Sequence, residues 1–310
     1  MKLVIAVVLL VVGFCLLIKG ADWFVDGAAG IAARFGIPQL VIGLTIVAMG
    51  TSAPEAAVSI TAAKSGNAGI TIGNVLGSNI MNVLVILGIT SVITSIAVQK
   101  STVKYELPFM LVISAVLLVL GYTGNEIVLW EGVVLWGFFV VYLVYLFIMA
   151  KKGGNEEEEE KQRALWLQII MLIVGAAGIV FGADLTVDNA TVIAETFGMD
   201  DRIIGLTIVA FGTSLPELVT SITAARKGKA DIAIGNIVGS NIFNILFVTG
   251  TTALITPVAF KQGFVVDGLV SIVAGILLWF GVFKKNMLER KVGIVMLVGY
   301  AAYFVYLLVG

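Results

Sequence analysis

The sequence predicts an all-α integral membrane protein, with ten transmembrane helices built as two five-helix repeats of inverted topology. Three observations carry this. The 310-residue chain is 59% hydrophobic and 13% charged, with a mean hydropathy of +1.08, whereas a soluble domain is about 25% charged. Its core occurs twice: residues 36–98 align with residues 198–260 without a gap, and 35 of 63 positions are identical. Once ten spans are drawn, Lys and Arg gather in the loops of one side.

A span needs roughly 20 mostly apolar residues. Such stretches lie at 2–33, 38–63, 68–97, 104–121, 126–150, 164–195, 201–225, 230–256, 264–283 and 291–309. Residues 1–18 have the pattern of a signal peptide, with Lys2 before an apolar run, but no convincing small-residue cleavage site precedes Ala21. They read as a retained helix, because residues 164–182 play the same part in the second copy. The first and sixth stretches are long enough to tilt or to run past the interface. Five is odd, so the second repeat must enter the membrane upside down. With the N-terminus outside, the inner loops hold 14 Lys and Arg and the outer segments 4. The predicted organisation is a first repeat at 1–150, a cytoplasmic Glu-rich linker at 151–163 and an inverted second repeat at 164–310. This is a multi-pass protein of the cell membrane with both termini outside.

Composition removes several function classes. The net charge of −1 offers nothing to nucleic acid. A single Cys15 rules out an intrachain disulfide and a cysteine metal cluster, and the chain has no histidine, the commonest general base and transition-metal ligand. A bound metal here must take oxygen ligands, and no cofactor is called for.

The second span carries Gly50-Thr51-Ser52-Ala53-Pro54-Glu55, and the seventh repeats it as Gly212-Thr213-Ser214-Leu215-Pro216-Glu217. Proline lacks an N–H and crowds the carbonyl four residues back, so the helix breaks or kinks there. Carbonyls near Ala48 to Thr51, and near Ala210 to Thr213, then need partners. At membrane depth such backbone survives only inside protein or along a wet cavity. Thr51 and Glu55 are four residues apart and share a face. Ser52-x-x-Glu55 and Ser214-x-x-Glu217 also fit a capping box, in which the glutamate only satisfies a helix start. Against that, a charge near mid-membrane costs roughly 2.5–3.5 kcal/mol, and here it occurs twice.

The third span places Asn74, Ser78 and Asn82 on one stripe, and the eighth places Asn236, Ser240 and Asn244 there. Polar residues also glue membrane helices together, so the stripes read equally as ligands or as helix contacts. Gly73-x-x-x-Gly77 and Gly235-x-x-x-Gly239 allow close helix approach. Together the copies offer carboxylates, amides, hydroxyls and carbonyls, an oxygen shell for a hard cation such as Ca²⁺ or Na⁺. Asp22 and Asp26, with twins Asp184 and Asp188, read as interface or helix-contact residues, and Lys19 is placed to pair with Asp22. The run Glu156 to Glu160 reads as a solvated linker. Glu106, Glu126 and Glu131 fall at helix ends and need no special role.

The two GTSxPE segments and the two GNxxGSNxxN segments, Gly73 to Asn82 and Gly235 to Asn244, resemble the α-repeats of the Ca²⁺/cation antiporter superfamily. Within it, the chain is most similar to the compact prokaryotic sodium/calcium exchangers, and the likeness spans essentially the whole chain. The resemblance implies Na⁺/Ca²⁺ antiport by alternating access, with the first and sixth helices sliding against the rest. It implies a Ca²⁺ site at Glu55 and Glu217 with the carbonyls of Thr51 and Thr213. It implies flanking Na⁺ sites at the Ala48 carbonyl, Ser52 and Ser78, and at the Ala210 carbonyl, Ser214 and Ser240, with Asn82 and Asn244 closing the centre. Proton-coupled relatives often carry a GNxxE-like segment in place of GTSxPE, and potassium-dependent ones an aspartate at the position of Asn244. The resemblance is thus to a potassium-independent exchanger, a monomer in the lipid bilayer whose ligands are the transported Ca²⁺ and Na⁺. A Ca²⁺/H⁺ antiporter on the same fold is the nearest alternative. A cation channel and an intramembrane aspartyl hydrolase using both glutamates are alternatives from other classes.

Overall fold

The computed structural model describes residues 2–64, 68–152, 163–197 and 210–309. The helices are Lys2–Phe35 (α1), Gln39–Thr51 (α2), Ala53–Lys64 (α3), Gly69–Ile93 (α4), Thr102–Gly124 (α5), Leu129–Lys152 (α6), Leu165–Thr196 (α7), Ala210–Gly212 (α8), Leu215–Arg226 (α9), Ala230–Ile255 (α10), Gly263–Phe283 (α11) and Arg290–Val309 (α12). Among the described residues, eight helices are long and apolar enough to cross a membrane, and α2 with α3 makes a ninth candidate bent by 49°. The span expected at 201–225 begins outside the described residues, which show only its end as α8 and α9. Most of the expected linker, residues 153–162, also lies outside them.

The two longest helices, α1 and α7, lie side by side and antiparallel. Going up α1, Gly13 faces Gly182, Gly20 faces Gly175 and Ile179, and Gly27 faces Gln168 and Leu172. The contact is backbone to backbone, since a Cβ on Gly175 would sit 2.5 Å from the Phe24 nitrogen and one on Gly20 2.7 Å from the Ile179 nitrogen. In lipid, where apolar burial gives helices little reason to associate, such small-residue seams supply the packing.

The centre belongs to α4 and α10. Of their most apolar 18-residue windows, 78% and 94% is buried, against 11–33% for the other spans. Those two helices therefore hold the polar stripes away from lipid, while α1, α5, α6, α7, α11 and α12 face the bilayer.

Two stretches read as helix in sequence are extended here. Thr94 leaves α4 at φ −149°, and Ile96–Ala97 (β1) pairs antiparallel with Met287–Leu288 (β4). Glu126–Ile127 (β2), placed inside a helix by hydropathy, pairs with Val258–Ala259 (β3). Each turn thus satisfies its backbone groups on the other half of the chain, a pairing that hydropathy cannot report. At the start of α6, Glu131 accepts from the Val128 nitrogen at 2.9 Å, in keeping with a helix-end role.

Asp22 and Asp26 make the expected helix contact, but through an unexpected partner. Lys227, just past α9, reaches Asp22 Oδ1 at 3.2 Å and Asp26 Oδ1 at 2.8 Å. Lys19 lies 3.8 Å from Asp22. The partner is 205 residues away from Asp22, beyond any helical spacing rule.

Candidate ion-binding site

Both proline-bearing segments break the helix. Between α2 and α3, Ser52 adopts φ −85° and ψ 9°. Between α8 and α9, Ser214 adopts φ −93° and ψ 2°. Pro54 and Pro216 then fall in the first turn of α3 and α9, where a missing N–H costs nothing. Glu55 and Glu217 follow in that turn, and both are fully buried.

Neither serine caps its own helix, so the capping-box reading fails. Ser52 donates its backbone N–H to Ala48 O at 3.0 Å and its hydroxyl to Glu217 Oε1 at 2.7 Å. The first repeat thus holds the carboxylate of the second. Likewise Thr51 Oγ1 lies 2.9 Å from Asn236 Oδ1, and Ser240 Oγ donates to Ala48 O at 3.3 Å. The Ala48 carbonyl, expected to be loose, is therefore engaged by the Ser52 backbone N–H and approached by two hydroxyls, those of Thr51 at 3.2 Å and Ser240.

The stripes dock on the broken helices as their spacing suggests. Asn74 Nδ2 donates to Glu55 O at 3.1 Å and to Ser59 Oγ at 2.9 Å. In the twin, Asn236 Nδ2 donates to Glu217 O at 3.4 Å and to Ser221 Oγ at 2.9 Å. Where α4 crosses α10, Asn79 and Asn241 exchange side-chain-to-backbone bonds at 3.3 and 3.2 Å. Asn82 Nδ2 donates to Asn241 Oδ1 at 3.0 Å, and Asn244 Nδ2 to Asn79 Oδ1 at 3.2 Å. The amide nitrogens are used in this cross-brace, which turns the amide oxygens of Asn82 and Asn244 away from it.

What remains is a set of oxygens with nothing to accept from. Among the described residues, both carboxylate oxygens of Glu55, Oε2 of Glu217, Oδ1 of Asn82, Oδ1 of Asn244 and Oγ of Ser214 are buried without a hydrogen-bond partner. The two carboxylates lie within electrostatic reach of each other. Buried polar atoms are normally paired, so this concentration is costly unless a cation gathers the lone pairs. Two carboxylates with neutral oxygens form a hard-cation donor set. A cavity of about 500 Å³ between α3, α4, α11 and α12 is lined in part by Thr213, Asn74 and Ser78, which neighbour members of the set in sequence or by hydrogen bond.

Of the sequence candidates, Ala48, Thr51, Ser52, Glu55, Ser78, Asn82, Glu217, Ser240 and Asn244 are joined by contacts between the two halves, and Ser214 is buried at the second break. Thr213 sits at the second break, and Ala210 opens α8. Asn79, Asn241, Ser59 and Ser221 were missed. All four are identical between the copies, a signal that a stripe drawn at intervals of four passes over. Local widening was also invisible: π-helical turns span Gly43–Val47, Asn82–Leu87 and Asn244–Thr249. Such turns shift the side-chain register by one position and frequently mark functional sites.

The sequence profile of the sodium/calcium exchanger protein family matches residues 5–148 and 167–309. The sodium/calcium exchanger MaX1 of Methanosarcina acetivorans is 32% identical over an alignment covering 96% of this chain and 97% of its own. The inner membrane protein YrbG of Escherichia coli K12 is 37% identical, covering 89% of this chain and 90% of its own. Among solved structures, the sodium-calcium exchanger NCX_Mj soaked with zero Na⁺ and Ca²⁺ superposes with a TM-score of 0.86 at 33% identity, over 98% of this chain and 99% of that one.

Proposed function

The chain belongs to the sodium/calcium exchanger protein family, and we propose that it is a potassium-independent Na⁺/Ca²⁺ antiporter working by alternating access. The observation that carries the proposal is the cluster of unpartnered buried oxygens centred on Glu55 and Glu217. Two carboxylates balance one Ca²⁺. Na⁺ entering the same shell weakens that balance, so the two ions compete rather than coexist, and competition at one site is the core of antiport.

In this reading Ca²⁺ is held by Glu55 and Glu217 with the carbonyls of Thr51 and Thr213. Na⁺ is held on one flank by Ala48 O, Ser52 and Ser78, and on the other by Ala210 O, Ser214 and Ser240, with Asn82 and Asn244 at the centre. The amide at 244 suits potassium independence, because Asn244 Nδ2 donates to Asn79 Oδ1 at 3.2 Å and to Ser78 Oγ at 3.5 Å. An aspartate has no donor for either bond. The 1–150 and 164–310 halves act as inverted five-helix repeats, each contributing one broken helix, one stripe and one sliding helix. The antiparallel run of the equivalent helices α1 and α7 supports this arrangement. Both glutamates lie in a single chain, so a monomer is a complete transport unit. Both termini face outside and the 151–163 linker faces the cytoplasm, as the 14-to-4 charge bias favours.

The test is ⁴⁵Ca²⁺ uptake into proteoliposomes preloaded with Na⁺, K⁺ or choline, with and without an imposed pH gradient. Uptake is expected only with internal Na⁺, unaffected by K⁺ or a protonophore. Uptake driven by the pH gradient without Na⁺ would assign proton coupling instead. Flux needing no counter-ion would assign a channel.

The Lys227 ion pairs tie the sliding helix α1 to the end of α9. They are partly exposed, a class worth about 0.2–1 kcal/mol. Lys227→Ala is expected to speed opening of the face these pairs close, raising initial exchange rates by no more than about fivefold. Abolished exchange in this variant would place Lys227 in the transport path itself.

A further inference from the structure

Glu106 lies near the start of α5, the helix end that sequence alone assigns to it, but it is buried there. It is 1% exposed, one turn into α5, and outside the ion-site cluster. The Tyr145 hydroxyl on α6 donates to its Oε1, while its Oε2, like the neighbouring Thr102 hydroxyl, has no hydrogen-bond partner of good geometry among the described residues. A cavity of about 300 Å³ opens here between α5 and α6, its lining including Lys104, Tyr105, Glu106, Phe109, Tyr142 and Tyr145. Phe109 stacks on Tyr142 with centroids 5.8 Å apart, and Tyr105 lies 6.5 Å from Tyr145. Tyr105 is 51% exposed at the rim, and Lys104 Nζ already lies 5.2 Å from its ring centroid.

A buried carboxylate oxygen that makes no hydrogen bond among the described residues, walled by aromatic faces, has the chemistry of an ammonium site: the rings attract the cation and the oxygen takes an N–H. We propose that this cavity binds the primary ammonium of a phospholipid headgroup of the ethanolamine type. The first turn of α5 is the membrane-interface end of the helix, where Tyr and Lys side chains meet headgroups. Lys104, exposed at the mouth, is the cation that would meet the phosphate of a lipid bound there. A quaternary ammonium offers no N–H to Glu106 Oε2, and a glycerol headgroup offers no positive charge. The site therefore prefers ethanolamine over choline and glycerol lipids.

The test uses the full chain in detergent. Thermal unfolding is followed while phosphatidylethanolamine, phosphatidylcholine or phosphatidylglycerol of one acyl composition, or free ethanolamine, is added. Phosphatidylethanolamine is expected to raise the midpoint at roughly tenfold lower concentration than the other lipids, the equivalent of one charge-assisted hydrogen bond. Free ethanolamine at equal concentration is expected to do nothing. Glu106→Gln should erase the preference. Should that variant not fold, Tyr105→Ala on the exposed rim should still reduce it. Equal stabilisation by all three lipids, a preference that survives either substitution, or free ethanolamine matching the lipid would each overturn the proposal.

Discussion

Replacing Glu55 with Gln is expected to abolish Ca²⁺ exchange while the protein still folds. The glutamate is fully buried, and neither carboxylate oxygen has a hydrogen-bond partner among the described residues. The isosteric amide therefore breaks no hydrogen bond made among the described residues; it removes the charge and turns one acceptor oxygen into an NH₂ donor, which the neighbouring unpartnered oxygens can accept from. With a single carboxylate left, a bound Ca²⁺ keeps a net positive charge in a dry interior. Removing one partner of a buried charge pair costs about 3–5 kcal/mol, or two to three and a half orders of magnitude in affinity. Glu217→Gln should lose transport as fully, and Ser52 Oγ, now 2.7 Å from Glu217 Oε1, can still donate to the amide oxygen. Proteoliposome ⁴⁵Ca²⁺ uptake checks the loss, and gel filtration with thermal unfolding checks the fold. Near-normal exchange in either variant would remove the glutamates from the ion path.

The second large effect is expected at Gly239, a residue that carries no chemistry. A Cβ there would lie 2.7 Å from Ala48 Cβ and 2.8 Å from both the Cα and the carbonyl oxygen of Leu44. Two of those neighbours are backbone atoms of α2 and cannot swing aside. Gly239→Ala must push α2 away from α10, and such overpacking costs typically about 1–3 kcal/mol. The displacement carries Ala48 O away from Ser240 Oγ, a contact already long at 3.3 Å. A lowered unfolding midpoint and at least a tenfold loss of exchange are expected together. Gly137, on the exposed surface of α6 with no described atom within 4 Å of a built Cβ, is the control. Alanine there should be neutral or slightly stabilising, since it favours helix over glycine. Equal behaviour of the two variants would show that the α2–α10 contact does not hold the site.

Much of the protein is legible in one dimension. Long apolar runs give the spans because bilayer thickness fixes helix length. Pro54 and Pro216 give the breaks because a ring without an N–H cannot continue an α-helix. Glu55 and Glu217 declare themselves because burying a charge in an apolar run is costly, and the duplication shows the cost is paid in both halves.

Partnerships across the chain were not legible. Sequence spacing suggested that Ser52 serves Glu55, three residues on, yet its hydroxyl serves Glu217 at a separation of 165 residues. It offered Lys19 to Asp22, where Lys227 is the closer partner. It placed Glu106 correctly at a helix end but did not report that packing of α6 against α5 buries it there beside Tyr145. It passed over Asn79 and Asn241, which bond to each other's backbone at a separation of 162 residues, the length of the repeat itself. The apolar spans, the two breaks and the residue types of the site follow from the order of residues alone. Which half completes which follows from packing, because periodicity reports the face a side chain occupies and never the surface that face will meet.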